Sequence, residues 1–508
     1  MSQMQEVTTT YTNLCEHVAE TARLVTIRAL LEWDERTIMP TAAGPYRAEQ
    51  ITVLSRIIHG RRTDARIGEW LQQLSATDLM TRPHSAEATT VRCLQRDFDR
   101  QTRIPPTLVE EISRQSILGQ QAWVAARKND DFQTFQPLLE QIVDLKRQEA
   151  AAVGYTDCAY DALVDEYEPD ATTAQLTSVF AALREELVPL LKAIRSSDRV
   201  PTTDCLHGEF PIDAQEKFGK HAATQIGFDF SRGRLDVTHH PFCTTLGPCD
   251  SRITTRYDSQ FFSTAFFGIL HEAGHGIYEQ GLPSEQFGLP PGMYCSLGIH
   301  ESQSRLWENL VGRSHAFWEY FYPQAQEAFG NALGGVALDE FVSAVNTVRS
   351  SLIRVEADEA TYNLHIIIRF ELEQALINGS LAVADLPAAW NEKYREYLGV
   401  ESPNHADGVL QDIHWSSAAI GYFPTYALGN LYAAQFFQAA EGALGDLQPL
   451  LATGDFRPLR EWLGEKIYQH GQCYAAMELA TEVSGKPLSH APLMAHLRGK
   501  LQPLYGLD

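Results

Sequence analysis

The run His271-Glu272-Ala273-Gly274-His275 puts two imidazoles and a carboxylate within five residues. It follows Thr264-Ala265-Phe266-Phe267-Gly268-Ile269-Leu270, a stretch that reads as a buried helix. On a helix, residues four apart share a face one turn apart, so both imidazoles can point at one metal ion. Glu272 sits about 100° round from His271 and can address the metal-bound water without being a ligand. This is the zinc-peptidase pattern HExxH. With 17 histidines in 508 residues, about 0.04 chance matches are expected. The bland alternative is a half-buried helix whose polar groups are satisfied by local hydrogen bonds.

A catalytic zinc usually has three protein ligands plus water. The His-rich extended motif would need Gly at 278 and His at 281, but the chain has Tyr278 and Gly281. Glu279 lies about 12 Å along the axis from His271, too far for a bond of about 2 Å. A carboxylate from a second helix is required. Glu301 qualifies, since it follows a Gly- and Pro-rich loop over 281–298 and opens an amphipathic stretch with Leu306, Leu310 and Val311. Glu285 in the loop and Glu308, two turns on, are the weaker alternatives.

The elements that must position these groups are mostly helices. Ile51, Leu54, Ile57 and Ile58 lie at helical spacing after Pro45, and Leu176 to Ile194 form a longer stripe entered by Thr172 or Thr173. Segments 102–150, 300–330, 338–378, 427–444 and 457–485 show the same period. Between Phe228 and Tyr257 the period drops to two, which predicts one small antiparallel β-sheet near 228–257. The expected architecture is mainly α, a multi-helix peptidase fold of two lobes around a groove. One unit spans 1–508, with a helical wall or lid over 12–200 and the catalytic region over 201–508.

Composition bounds the function. The chain has 65 acidic and 41 basic residues, a net charge of −24. Such a balance argues against nucleic acid or an anionic membrane surface as partner. No apolar run reaches the roughly 20 residues of a membrane span. Met1 to Tyr11 is polar, without a signal-peptide core, so a cytoplasmic location is expected. The eight cysteines are scattered without a CxxC pair and read as reduced thiols.

Further motifs occur in order along the chain: Trp33-Asp34 to Met39-Pro40, His240-Pro241-Phe242, Asp250-Ser251-Arg252-Ile253-Thr254, the HExxH run and His300-Glu301-Ser302-Gln303. Ile353-Arg354-Val355-Glu356-Ala357-Asp358 and Gly408-Val409-Leu410-Gln411-Asp412-Ile413-His414-Trp415 follow. In these the sequence resembles the carboxypeptidase Taq family of metallocarboxypeptidases, over about residues 33–430. The resemblance implies a helical fold similar to thimet oligopeptidase and angiotensin-converting enzyme, with zinc at the base of a deep groove. It implies Glu301 as the third ligand beside His271 and His275, and a homodimer. It also implies release of single residues from a free peptide C-terminus, with broad side-chain tolerance and poor cleavage next to proline.

The roles follow from the chemistry. Glu272 would take the proton from the metal-activated water and pass it to the leaving amine. The oxyanion needs a donor, and His414, Tyr422 and Tyr426 are the candidates, with packing as the alternative role of either tyrosine. Gln411 and Asp412 are candidate supports for a ligand histidine. A free carboxylate is best met by an arginine fork, Arg354 first and Arg252 second, with an ion pair as the alternative role. His240 is a candidate for lining the cleft, and the strand at 252–257 for pairing with an extended substrate. The metal is expected to be Zn2+, with Co2+ or Mn2+ able to take the same ligands. The rival readings are a zinc endo-oligopeptidase of the thimet type, cutting peptides internally, and a non-catalytic peptide-binding protein with a relic site.

Overall fold

The computed structural model describes residues 3–507. It is built mainly of helices, as the 3.6-residue periodicity predicts. Four helices open the chain: α1 (Gln3–Thr37), α2 (Gly44–Arg62), α3 (Ala65–Ser75) and α4 (Ala86–Arg103). Their ends are chemically marked: Asp64 caps α3 and Ser85 caps α4, each accepting a backbone N–H, and Pro45 stands in the first turn of α2. Ile67, Leu71 and Leu74 of α3 close over Leu14 and Val91 in a small apolar cluster separate from the main core. The helix Thr173–Arg195 begins with Thr172 in a full capping box with Gln175. Among the described residues no helix is long and apolar enough to cross a membrane.

The sheet corrects the antiparallel expectation. It has three strands, β1 (Gly233–Val237), β2 (Cys243–Gly247) and β3 (Asp250–Thr255), in the order β1-β3-β2. β1 pairs parallel to β3, with Leu235 opposite Ile253, whereas β2 pairs antiparallel to it, with Thr244 opposite Arg252. Pro248 and Cys249 form the tight turn that makes β2 and β3 a hairpin. The connection 238–242 carries the chain from one flank of β3 to the other, so β1 and β3 run the same way. Phe242 fastens this crossover: its N–H donates to Thr254 Oγ1 at 2.8 Å, and its carbonyl accepts from Thr254 N–H at 3.0 Å. β3 is therefore central and has both edges paired, so 252–257 has no edge to offer an extended substrate and the two edge strands are β1 and β2.

Several predicted helical stretches are interrupted, 102–150, 300–330 and 457–485 among them, and 338–378 most widely. The segment 338–378 forms the helices Leu338–Val345 and Thr361–Asn378, with a loop and a short turn at Arg354–Glu356 between them. Asp358 explains the restart. Its carboxylate accepts the backbone N–H groups of Arg349, Ala360 and Thr361, an arrangement that competes with continuous helix.

Four helices build the centre of the molecule: α5 (Phe262–Gly281), α6 (Leu297–Arg305), α7 (Thr361–Asn378) and α8 (Pro424–Leu444). α5 and α8 are apolar on nearly every side and buried accordingly. α6 is wedged between them. A Cβ on Gly274 of α5 would lie 2.6 Å from the Gln303 carbonyl oxygen and 2.7 Å from Ser304 Cα. A Cβ on Gly429 of α8 would lie 2.7 Å from Glu301 Cβ. Both crossings therefore need glycine. Buried Glu168 holds the start of α6, accepting Gly298 N–H at 2.9 Å and the Tyr432 hydroxyl at 3.0 Å. Past α6 the chain continues in a π-helical turn, Leu306–Val311.

Gly429→Ala is expected to lower stability by about 1–3 kcal/mol, because the new methyl meets the α6 backbone and Glu301. Gly442→Ala, on the same helix with nothing within 4 Å of its Cβ position, serves as the reference. It should stay within about 1 kcal/mol of the parent, on the stabilising side. Denaturant midpoints of the two variants check this.

Candidate active site

α5 presents His271 and His275 one turn apart, with ring centroids 4.9 Å from each other. The squeezed crossing of α6 brings Glu301 against both. Its Oε2 lies 3.6 Å from His271 Nε2 and 3.5 Å from His275 Nε2. One ligand atom from each of the three residues falls within 4.8 Å of the others. Glu285 is exposed in its loop. Glu308 comes close by another route: the π-helical turn swings its Oε2 to 2.9 Å from His271 Nδ1. His275 Nδ1 donates to the His300 carbonyl at 3.0 Å. Each ring therefore spends Nδ1 on the protein and aims Nε2 at one point, the habit of metal-ligating histidine. Arg305 takes the other Glu301 oxygen, its Nε donating to Oε1 at 2.7 Å, and also reaches Glu308 Oε2 at 3.1 Å.

The electrostatics suit a cation. Burial works to raise the Glu301 pKa, but the Arg305 and His271 charges outweigh it and hold this carboxyl well below the usual range. Glu308 is lowered to about 2 against the same burial penalty, chiefly by Arg305 and the His271 hydrogen bond. Burial and the neighbouring His300 push His275 down to about 3, so it stays neutral. Burial disfavours protonated His271 as well, yet the Glu301 charge and the Glu308 hydrogen bond raise it. Two imidazoles and an ionised carboxylate are a donor set for a catalytic divalent ion. Beside them Glu272 is only 6% exposed, its pKa lifted to about 7 by burial, and its Oε2 has no hydrogen-bond partner. A buried polar atom without a partner is costly unless something else meets it there. The residues fit a bound metal with its water.

These groups open into a cavity of about 470 Å³. Tyr422 and Tyr426 line it, as do Phe242, Thr244 and Thr245 beside the sheet and Val25 and Ala29 of α1. His414 lies behind Tyr426, with Nε2 3.4 Å from the tyrosine hydroxyl, and burial brings its pKa down to about 4. His240 is exposed, whereas its neighbours Pro241 and Phe242 face the cavity.

Both arginine candidates are engaged with acids. Arg354 is buried and holds Asp412 at 2.7–3.2 Å through Nε and Nη2, while Nη1 donates to the Tyr362 hydroxyl at 2.9 Å. Arg252 grips Asp250 through two bonds of 2.9 and 3.0 Å and lies 4.2 Å from the Trp33 ring centroid. Gln411 and Asp412 do not support a ligand histidine. Gln411 accepts the Arg354 backbone N–H, and Asp412 binds Arg354 and Arg369. Arg305, His300 and Glu308 are site residues whose roles the sequence does not disclose. The legible trace is their spacing: Arg305 stands four residues and Glu308 seven after Glu301, on one helical face.

Comparison with known proteins agrees with this geometry. The model of the carboxypeptidase Taq (M32) metallopeptidase family matches residues 13–501. A thermostable carboxypeptidase 1 of Thermus thermophilus is 46% identical over 505 residues, covering 98% of this chain and 99% of the relative. Carboxypeptidase 1 of Bacillus subtilis is 39% identical, over 94% of this chain and 95% of its own. Among solved structures, the M32 carboxypeptidase of Deinococcus radiodurans superposes with a TM-score of 0.95 at 43% identity, covering 98% of this chain and all of that one (100%). Metallocarboxypeptidase 1 of Trypanosoma cruzi gives 0.91 at 32% identity, over 98% and 99%. With two imidazoles and a carboxylate converging and a whole-chain match, the protein belongs to the carboxypeptidase Taq (M32) family and is a metallocarboxypeptidase.

Proposed function

We propose that His271, His275 and Glu301 hold a zinc ion, and that the enzyme releases single residues from the free C-terminus of peptides with broad specificity. The observation that carries this is the convergence of His271 Nε2, His275 Nε2 and Glu301 Oε2 beside the partnerless Glu272 Oε2. Zinc bound there would polarise the scissile carbonyl and lower the pKa of its water. Glu308 and the His300 carbonyl fix the two rings in the tautomer that leaves Nε2 free. Glu272 takes a proton from the attacking water and delivers it to the leaving amine. Its burial, which lifts the pKa to about 7, suits both halves of that transfer.

Tyr422 and Tyr426 offer hydroxyls to the oxyanion of the tetrahedral intermediate, with His414 behind Tyr426 as its support. β2, the edge strand on the cavity, offers its backbone to an extended peptide. Arg354 is the arginine assigned to the substrate carboxylate. Asp412 presets its orientation, and its two terminal nitrogens each keep one N–H beyond the Asp412 and Tyr362 bonds. The family resemblance supports a homodimer. Cobalt or manganese would fit the same donors.

Mass spectrometry of one unstructured peptide, as free acid and as C-terminal amide, tests the activity. The expected result is a ladder of single-residue losses from the acid alone, abolished by chelator; internal fragments from both peptides would refute it. Arg354→Ala should weaken binding of free-acid peptides to the zinc-loaded Glu272→Gln protein more than binding of the corresponding amides. Equal effects on both would make Arg354 purely structural.

Glu272→Gln should keep its zinc and lose about 10²–10⁴-fold in kcat. Glu308→Gln should weaken zinc about 10–100-fold in a competition titration with a coloured chelator, since His271 loses an anionic partner. Unchanged zinc affinity would remove Glu308 from the site.

A further inference from the structure

The metal cavity is not the end of the groove. A second cavity, about 560 Å³, adjoins it and shares Val25, Thr26, Met293 and Tyr294 with it. Tyr422 and Tyr426 line the metal cavity and not the second, and Tyr167, which lines the second, packs edge-on to Tyr422 with ring centroids 5.1 Å apart. An enzyme that removes the last residue must let the rest of the peptide leave the metal on the side away from the C-terminal pocket. The second cavity is the further space that adjoins the metal cavity along α1.

Its charge is unlike that of the chain as a whole. Arg61, Arg62 and Arg96 line it, against Asp97 and Glu166. Four of these five are already paired. Arg61 binds Glu20 at 2.8 Å, Arg96 reaches Asp97 at 3.3 Å, and Glu166 faces Arg100 at 3.1 Å. The Arg62 guanidinium makes no hydrogen bond or ion pair with any described residue. Burial against neighbouring atoms and the Arg28 charge push its pKa down, and only Asp97 pulls the other way. It sits in the last turn of α2, packed against its neighbours on one side and exposed on the other. In a chain of net charge −24, a guanidinium left uncompensated inside the substrate groove has a counter-charge to find.

We infer that Arg62 forms an upstream subsite for an acidic side chain of the peptide substrate, several residues before the scissile bond. This rests on the carboxypeptidase reading and adds a preference to it. The position follows from α1, which runs along both cavities. Thr26 lies on the shared rim and Val18 on the second cavity alone, eight residues or about 12 Å apart. An extended peptide covers that in about three to four residues.

The test uses peptides of eight residues with one C-terminal sequence, in which Glu replaces Gln at each of the second to fifth positions from the scissile bond. The kcat/KM ratio of the Glu to the Gln peptide is taken within each enzyme, so general losses cancel. Labelled versions are also titrated by fluorescence anisotropy onto the zinc-loaded Glu272→Gln protein, which reads binding without turnover. The expected Glu preference is about three- to tenfold at one or two of these positions at low salt, shrinking as salt screens it. Arg62→Gln should bring the ratio to about one, and Arg62→Lys should keep most of it. A ratio of one in the parent enzyme at every position, or a preference that survives Arg62→Gln, overturns the inference. If no peptide is cleaved, the carboxypeptidase reading is what fails, and the anisotropy ratio still decides the role of Arg62.

Discussion

The structure turns on one buried anion. Glu301 sits in the core between α5 and α8, where an unpaired carboxylate costs several kcal/mol. Arg305 satisfies one of its oxygens, and the other is directed at two histidines. The protein thus neutralises half of the site and leaves the other half suited to a cation. Much of the surrounding fold serves to keep that charge where it is. Glycines at 274 and 429 let two helices close on α6, and Glu168 anchors its first turn. The π-helical turn after it places a second anion, Glu308, under His271, again with Arg305 as counter-charge and Arg313 3.6 Å away. π-turns interrupt helices at functional sites often enough for this one to be in character.

What the sequence discloses of this arrangement depends on how local each constraint is. His271, Glu272 and His275 are legible because a helix fixes the geometry of residues four apart whatever surrounds it. Glu301 is legible at one remove, since the loop after Gly281 is long enough for a helix to return. Glu308 is not legible as a partner of His271. On a regular helix it lies seven residues, about 10 Å, beyond Glu301, and only the π-turn and the crossing angle bring it back. The partner of Arg354 is hidden for a similar reason. Glu356 and Asp358 are its neighbours in sequence, but Asp412, 58 residues away, is what it binds.

The sheet shows the same division. β1 and β3 alternate and can be found, whereas Cys243-Thr244-Thr245-Leu246-Gly247 has no apolar alternation and forms β2 only because β3 offers it an edge. Strand order is a tertiary property, which is why a mixed sheet could not be told from an antiparallel one. The helical content, by contrast, follows almost entirely from period and caps. Several of the expected stretches are split, 457–485 by a turn and loop over 467–475 and 102–150 at 104–105 and 130–131, and the longest break, at 346–360, lies where Asp358 takes over the backbone N–H groups.

The anchoring of α1 joins two motifs that are far apart in sequence. Two arginines of the sheet lie against the Trp33 ring, Arg252 at 4.2 Å and Arg234 at 5.2 Å from its centroid. Asp34 next to it takes Arg47 of α2 at 2.7 Å. Thr238 adds a hydrogen bond to the Arg36 carbonyl at 3.0 Å. These contacts pin the C-terminal half of α1 beside β2, at the mouth of the metal cavity. The N-terminal half rests instead on the small cluster around Leu14, with far less apolar surface than the main core. Opening energies follow buried contacts, so the wall of the groove should be firm near Trp33 and yield first near Leu14. Firmness is thus placed where the scissile bond must be held, and compliance where peptides of different length and side chain must pass.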